Sequence, residues 1–345
     1  MYDYIIVTHV PAFYVVNLYN QFSNKINIFV IFIANDTNEK RSDDFITIEK
    51  ARFKYKILHD GNFQDRNQYK NIRKIRAILR PLKYKRLLVS GWDLSEFWYL
   101  VFFNKKNTNF LALESTKNEN RSSGIKRLLK RFFLSRIAMI FASGVLHLEL
   151  LNVLKYKENV KIVKGVGIIN KPEFSRRESI FRKRFLFIGR LSKVKNIEIL
   201  INIFNNLNEY QLTIVGLGEE YEYFKSISNK NIIYKGSIKN KSIKHIFFEN
   251  DVLILPSISE PWGLVVEEAL YFELPCIVSK NCGVSQLIED GVNGYLVDCN
   301  DENSIKGAIE KINNSNYSRL VKSVRIFSID KKDSEQVGAY LLNNI

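Results

Sequence analysis

The sequence predicts an α/β protein built from two doubly wound domains. Three observations carry that prediction. Short runs of apolar and β-branched residues recur along the whole chain, and several of them are apolar on both faces, as strands of a buried parallel sheet must be. A helix-like segment follows most of them, which is the βαβ rhythm of a doubly wound sheet. At 345 residues the chain is long enough for two such units, and the texture changes only once, near Ile169.

In the first half, Tyr4 to His9 reads as a strand and Ala12 to Phe22 as a helix. Ile26 to Ile33 is a second strand, and Arg86–Ser90 and Asn109–Leu113 follow. From Asn170 to Arg184 a proline and many charges interrupt the pattern, so residues 1–169 form an N-terminal domain, 170–184 a linker and 185–345 a C-terminal domain. The last helix is a candidate to pack back on the N-terminal domain. Strands in the second half are expected at Phe185–Ile188, Leu212–Val215, Ile232–Tyr234, Val252–Leu255 and Pro275–Val278.

Composition narrows the function. A 46% hydrophobic, 26% charged chain is globular rather than disordered. Cys276, Cys282 and Cys299 show no paired spacing, which excludes a disulfide framework or a cysteine-built zinc site and suits a reducing, cytosolic compartment. The longest uncharged stretch near the start, Tyr4 to Asn24, is too polar and proline-broken to span a membrane, and no basic leader precedes it. A net charge of +16 calls for an anionic partner: phosphorylated substrate, acidic lipid or nucleic acid. No zinc finger and no aromatic-basic RNA-binding strand is present, so nucleic acid is not expected.

Ligands of open α/β sheets sit beyond the carboxyl ends of the strands. After the strand ending at Leu255 comes a loop carrying Glu260, then Gly263 opens a helix through Leu270. The free N–H groups of Gly263, Leu264 and Val265 form an anion site, flanked by Glu260 and by Glu268 on the helix. After the strand ending at Ile188, Arg190 and Lys195 can face one diphosphate and offset charge on a departing phosphate. Gly216 and Gly218 follow another strand, where glycines often serve only to end it. Glu267 reads as a solvated helix charge, and Trp262 either packs the loop or meets a ligand.

Taken in order, GRLSKVKN (189–196), IVGLGEE (214–220), YKGSI (234–238), DVLILPSISEPWGLVVEEALYFELPCIVS (251–279) and GVNGYLV (291–297) resemble the family 4 retaining glycosyltransferases of the GT-B fold. The resemblance covers about residues 181–345 and includes the E-x7-E element formed by Glu260 and Glu268. It implies two Rossmann-like domains facing a central cleft, with a nucleotide-diphosphate sugar held by the C-terminal domain and the acceptor mostly by the other. It further implies that Arg190 and Lys195 grip the diphosphate, Glu260 binds the sugar hydroxyls and Glu268 the ribose. Backbone at Gly236, Ser237 and Ile238 would meet the base, with Gly216 nearby. Transfer would proceed with retention and without a metal or other cofactor. The sequence departs from the family pattern at His9–Tyr14, where a glycine-rich loop is usual, and at Cys282–Gln286, where GGxxE is usual.

In the N-terminal half, Glu114 follows a strand and is a catalytic candidate; His9 holds a similar place and is an acceptor-side candidate. Ile125–Phe133 alternates apolar Ile125, Leu128, Leu129, Phe132 and Phe133 with Lys126, Arg127, Lys130 and Arg131. That spacing fits a helix lying on an anionic bilayer or one packing its apolar stripe on the sheet. Seven cations between Arg73 and Arg86 concentrate positive charge in the same half, where a lipid-linked glycan acceptor would dock. The expectation is a cytoplasmic enzyme, peripheral on the inner face of the membrane, acting in surface-polysaccharide assembly. The alternative is a non-catalytic or nucleic-acid-binding α/β protein.

Overall fold

The computed structural model describes residues 1–39, 42–118, 124–176 and 178–342. The chain divides into two compact units. The first comprises residues 1–39, 45–168 and everything from Lys332 on; the second comprises Ile169–Lys331 with a short stretch ending at Asp44.

The first unit holds a seven-stranded sheet: β1 (Tyr2–Thr8), β2 (Ile28–Asp36), β3 (Lys54–Asn62), β4 (Tyr84–Val89), β5 (Asn109–Leu113), β6 (Met139–Ala142) and β7 (Asn159–Ile162). The order is β3-β2-β1-β4-β5-β6-β7, and every pair is parallel. Alternate residues of β1 and β2 feed separate cores on the two faces. Tyr4, Ile6, Val30 and Phe32 point one way; Ile5, Val7, Ile31 and Ile33 point the other. This two-sided burial is why these strands read as unbroken apolar runs. The final helix, Ile329–Tyr340, contributes Tyr340 to the first of these cores. Its backbone carbonyl accepts a 2.9 Å hydrogen bond from the Tyr4 hydroxyl, and its ring lies 4.3 Å from that of Phe141.

The second unit holds β8 (Arg184–Ile188), β9 (Gln211–Val215), β10 (Ile232–Gly236), β11 (Val252–Leu255), β12 (Cys276–Ser279) and β13 (Gly294–Val297), in the order β10-β9-β8-β11-β12-β13. All pairs are again parallel. Phe185, Leu186, Phe187 and the whole of β11 are buried, each large side chain contributing about 1.5–3 kcal/mol of burial. The segment read as a linker is tied into this unit, since the buried Asp251 carboxylate accepts from the N–H groups of Arg182 (2.7 Å) and Arg184 (3.0 Å). Strand order reverses between β1 and β4 in the first sheet and between β8 and β11 in the second. These are the switch points at which such sheets take ligands.

Candidate functional site

In the second unit the switch point is lined by the loops after β8 and β11. After β8, Gly189 leads into a tight turn at Lys193–Lys195, and Asn196 in the left-handed region (φ 58°) starts the helix Ile197–Asn205. Asn196 is pinned there by its amide, which donates 2.7 Å to the Cys299 carbonyl. This anchoring turns Lys195 across the sheet end, where its ammonium pairs directly with the Glu260 carboxylate from the β11 loop. Both side chains are more than four-fifths buried, at 17% and 16% exposure. Ser257 Oγ lies 3.5 Å from the same carboxylate oxygen. Arg190 stands exposed at the rim of the same loop.

The β11 loop is fixed on both sides. Ile258 N donates 2.9 Å to the Val194 carbonyl, and Glu260 bridges to Cys282, its carbonyl accepting 3.0 Å from Gly283 N. Gly263 then takes φ 108°, and a Cβ there would crowd Leu255 at 3.0 Å and Val284 at 3.1 Å. The chain can therefore turn sharply into the helix Leu264–Tyr271 only with glycine at this position. Val266 N is bonded back to the Gly263 carbonyl, and the partly exposed Leu264 and Val265 lead the helix.

Glu267 is the first correction. Far from solvated, it is fully buried and accepts a 2.6 Å hydrogen bond from the Trp262 indole N–H. Trp262, 2% exposed, therefore packs and braces the loop. Glu268 is 8% exposed. Burial, and secondarily the neighbouring Glu267 charge, push its carboxyl up to about 8. The Cys282 thiol is driven far above its ordinary value by burial and then by Glu260, which leaves it protonated and inert.

Gly216 plays a packing role. It has φ 137°, its N–H donates 2.8 Å to the Gly236 carbonyl, and a Cβ on it would overlap the Gly189 carbonyl oxygen. The β8 and β9 loops thus lie backbone against backbone, which only glycine permits. Gly236 also has positive φ, at 65°, but faces open space, with Ser237 exposed and Ile238 half-buried beside it.

The structure brings Lys195, Glu260, Gly263 and, through Gly189, Gly216 into one continuous strand-end surface. Glu114 and His9 belong to the first unit. Glu114 is half-buried after β5, where its backbone carbonyl lies 3.2 Å from Nε2 of His147 and its charge acts on Tyr19 and Tyr340. Burial brings His147 itself down to about 4, so it stays neutral.

His9 lies at the β1/β4 switch point. Its Nε2 is 2.9 Å from Oδ2 of Asp93, which follows β4, and its ring sits 5.4 Å from Phe63 and 5.3 Å from Phe97. Burial raises the Asp93 carboxyl, but the His9 hydrogen bond and charge, with Arg66 farther off, hold it below the ordinary carboxylate value. Sequence reasoning missed Asp93. Its signal is the GWD run immediately after a central strand, four residues beyond Val89.

Among the described residues no three His, Cys, Asp or Glu side chains gather to hold a metal ion, and no helix is long and apolar enough to cross a membrane.

Residues 170–325, which lie within the second unit, match the family described as glycosyl transferases group 1. A Klebsiella pneumoniae protein of 41.2 kDa, uncharacterized and in the cps region, is 30% identical over 45% of this chain and 44% of its own length. A Campylobacter jejuni α-1,4-N-acetyl-D-galactosaminyltransferase, named for an undecaprenol-diphosphate-linked glycan, is 32% identical over 54% and 55%. The chain thus spans about half the length of these relatives. Among solved structures, Anabaena HepE in complex with UDP and glucose superposes with a TM-score of 0.77 over 98% of this chain and 99% of its own, at 14% identity. The two parallel-sheet, Rossmann-like units are consistent with the GT-B fold of the chain's structural neighbours.

Proposed function

We propose that this chain is a retaining, metal-independent glycosyltransferase of family 4 that moves a sugar from a nucleotide-diphosphate donor to a hydroxyl of a lipid-linked glycan, in the assembly of a surface polysaccharide. The observation that carries the reading is the Lys195–Glu260 pair at the β8/β11 switch point, beside the start of the helix Leu264–Tyr271. A diphosphate at that helix tip would compete with Glu260 for the Lys195 ammonium. Glu260 would then be released to accept hydrogen bonds from sugar hydroxyls. Lys195, Arg190 and the Leu264 and Val265 N–H groups would offset charge as the anomeric C–O bond breaks, the task that a metal performs elsewhere. Glu268 would hold the ribose, and the backbone of Gly236–Ile238 the base.

The other supports are the group 1 match and the relatives. The Campylobacter enzyme is named for a lipid-linked substrate, and the Klebsiella protein is encoded in a cps region. HepE binds UDP and glucose. An acceptor carried on lipid places the reaction at the inner face of the cell membrane, with the enzyme cytoplasmic.

Calorimetric titration with nucleoside diphosphates tests the donor site. Arg190→Ala and Glu268→Ala should each weaken binding by on the order of tenfold or more. Binding as tight as the parent's in both variants would overturn the assignment. The anomeric configuration of the product, read by NMR, tests retention.

A further inference from the structure

The helix Gly124–Leu134 is turned the opposite way from what its spacing invites. Of its apolar residues only Phe133 and Leu134 are buried. Ile125, Leu128, Leu129 and Phe132 are 74%, 63%, 50% and 58% exposed. Apart from Phe133, the apolar stripe therefore does not pack on the sheet. The cations are divided instead. Lys126 and Arg131 face solvent, whereas Arg127 and Lys130 turn toward the protein. Lys130 Nζ sits 5.3 Å from the Trp92 ring, and Arg127 Nε is closed off from solvent. Burial lowers the Lys130 ammonium below its ordinary value, with Lys126 adding to it.

The ridge continues onto the neighbouring helix Ser95–Phe103. Phe102 packs its ring 4.7 Å from Phe132, and Phe103, at that helix's end, is 77% exposed. Exposed Lys105 follows two residues later. Scattered surface leucines need no explanation, but large apolar side chains at i, i+3, i+4 and i+7, all outward, form a contiguous patch of the kind that marks a partner. No acid lies on this helix, while Lys126 and Arg131 border the ridge.

We infer that the helix Gly124–Leu134 is an in-plane membrane anchor, inserting Ile125, Leu128, Leu129 and Phe132 among the acyl chains of an anionic bilayer while Lys126 and Arg131 meet the headgroup phosphates. Charge complementarity selects this occupant, because the apolar side chains alone would suit any greasy partner and the bordering cations suit an anionic lipid surface. The inward turn of Arg127 and Lys130 makes the apolar ridge rather than the charge the larger contribution. The anchor goes beyond the transfer reading and does not depend on it, since binding to lipid needs no donor.

The test is co-sedimentation of the full chain with vesicles of phosphatidylcholine alone and with phosphatidylglycerol added, at low and high salt. The parent should bind the anionic vesicles and retain part of that binding in high salt. Leu128→Ser/Phe132→Ser should reduce partitioning by on the order of tenfold or more in both salts. Lys126→Glu/Arg131→Glu should abolish the preference for anionic lipid by about the same factor. Thermal melts and nucleotide titrations show that each variant is folded, and unchanged nucleotide affinity separates this result from the donor-site reading. A parent that stays in the supernatant with both vesicles overturns the inference. So does a parent that is dimeric in sedimentation and becomes monomeric on Leu128→Ser/Phe132→Ser, since the ridge would then join two copies of the chain.

Discussion

Replacing Glu268 by Gln should leave stability unchanged in acid and raise it progressively as pH climbs through neutrality. The ordinary carboxyl titrates at 4.5, and the folded environment moves Glu268 to about 8. At about 1.4 kcal/mol per pH unit this corresponds to a ceiling of about 5 kcal/mol. The sign follows from linkage. The folded protein holds the Glu268 proton more tightly than the unfolded chain does. The stability this confers is complete below 4.5 and is lost as pH climbs toward 8; above that both states are ionised. Gln cannot ionise, so the variant escapes the loss. Its stability relative to the parent should be level in acid, rise by about 3 kcal/mol at neutral pH and approach the ceiling above about pH 8. Urea denaturation of both proteins at about pH 5, 7 and 8.5 reads the difference directly. Parallel stability curves over this range would refute the reasoning. A ribose donating hydrogen bonds to this carboxyl would favour its ionised form. Nucleotide binding near neutral pH should therefore release a proton, visible as a binding heat that differs between buffers of different protonation enthalpy.

Trp262→Phe keeps the ring but leaves the buried Glu267 carboxylate without its indole donor, and should cost about 1–3 kcal/mol in denaturant titration. Gly216→Ala drives a Cβ into the Gly189 carbonyl at positive φ and should destabilise by about 3 kcal/mol or more, with a lowered melting temperature as the measurement. Asp93→Asn removes the charge that holds His9 at the β1/β4 switch point. Transfer should fall by on the order of tenfold or more and the pH profile of kcat/KM should change, with nucleotide affinity intact.

What the sequence revealed and what it hid divide along physical lines. Strands buried on both faces, such as Ile28–Asp36 and Val252–Leu255, were legible because two-sided burial leaves no polar positions. β3 was not, because it lies at the sheet edge and begins Lys-Tyr-Lys, a pattern that looks like a polar loop. β6 is only four residues long and sits inside an apolar stretch, and β7 is a short edge strand with most residues exposed. The candidate donor site was legible because its chemistry requires particular residue types at fixed places in the chain: a glycine where the backbone reverses, cations after one strand, carboxylates after another.

Partnerships across the fold left no such mark. Glu267 has the composition of a solvated helix charge, and nothing in its spacing reveals that an indole five residues earlier satisfies it. His9 and Asp93 are 84 residues apart and meet only because β1 and β4 are neighbours in the sheet. The helix Gly124–Leu134 makes the point most sharply. Periodicity establishes that it has two faces, but which one turns inward depends on what the protein offers there. Here an aromatic surface at Trp92 takes up a cation, and the Phe102 ring meets that of Phe132 at a tilt of 34°. With Lys130 turned in toward Trp92, the apolar side chains Ile125, Leu128, Leu129 and Phe132 are left on the outward face of the helix, an arrangement that helical spacing alone does not distinguish from its opposite.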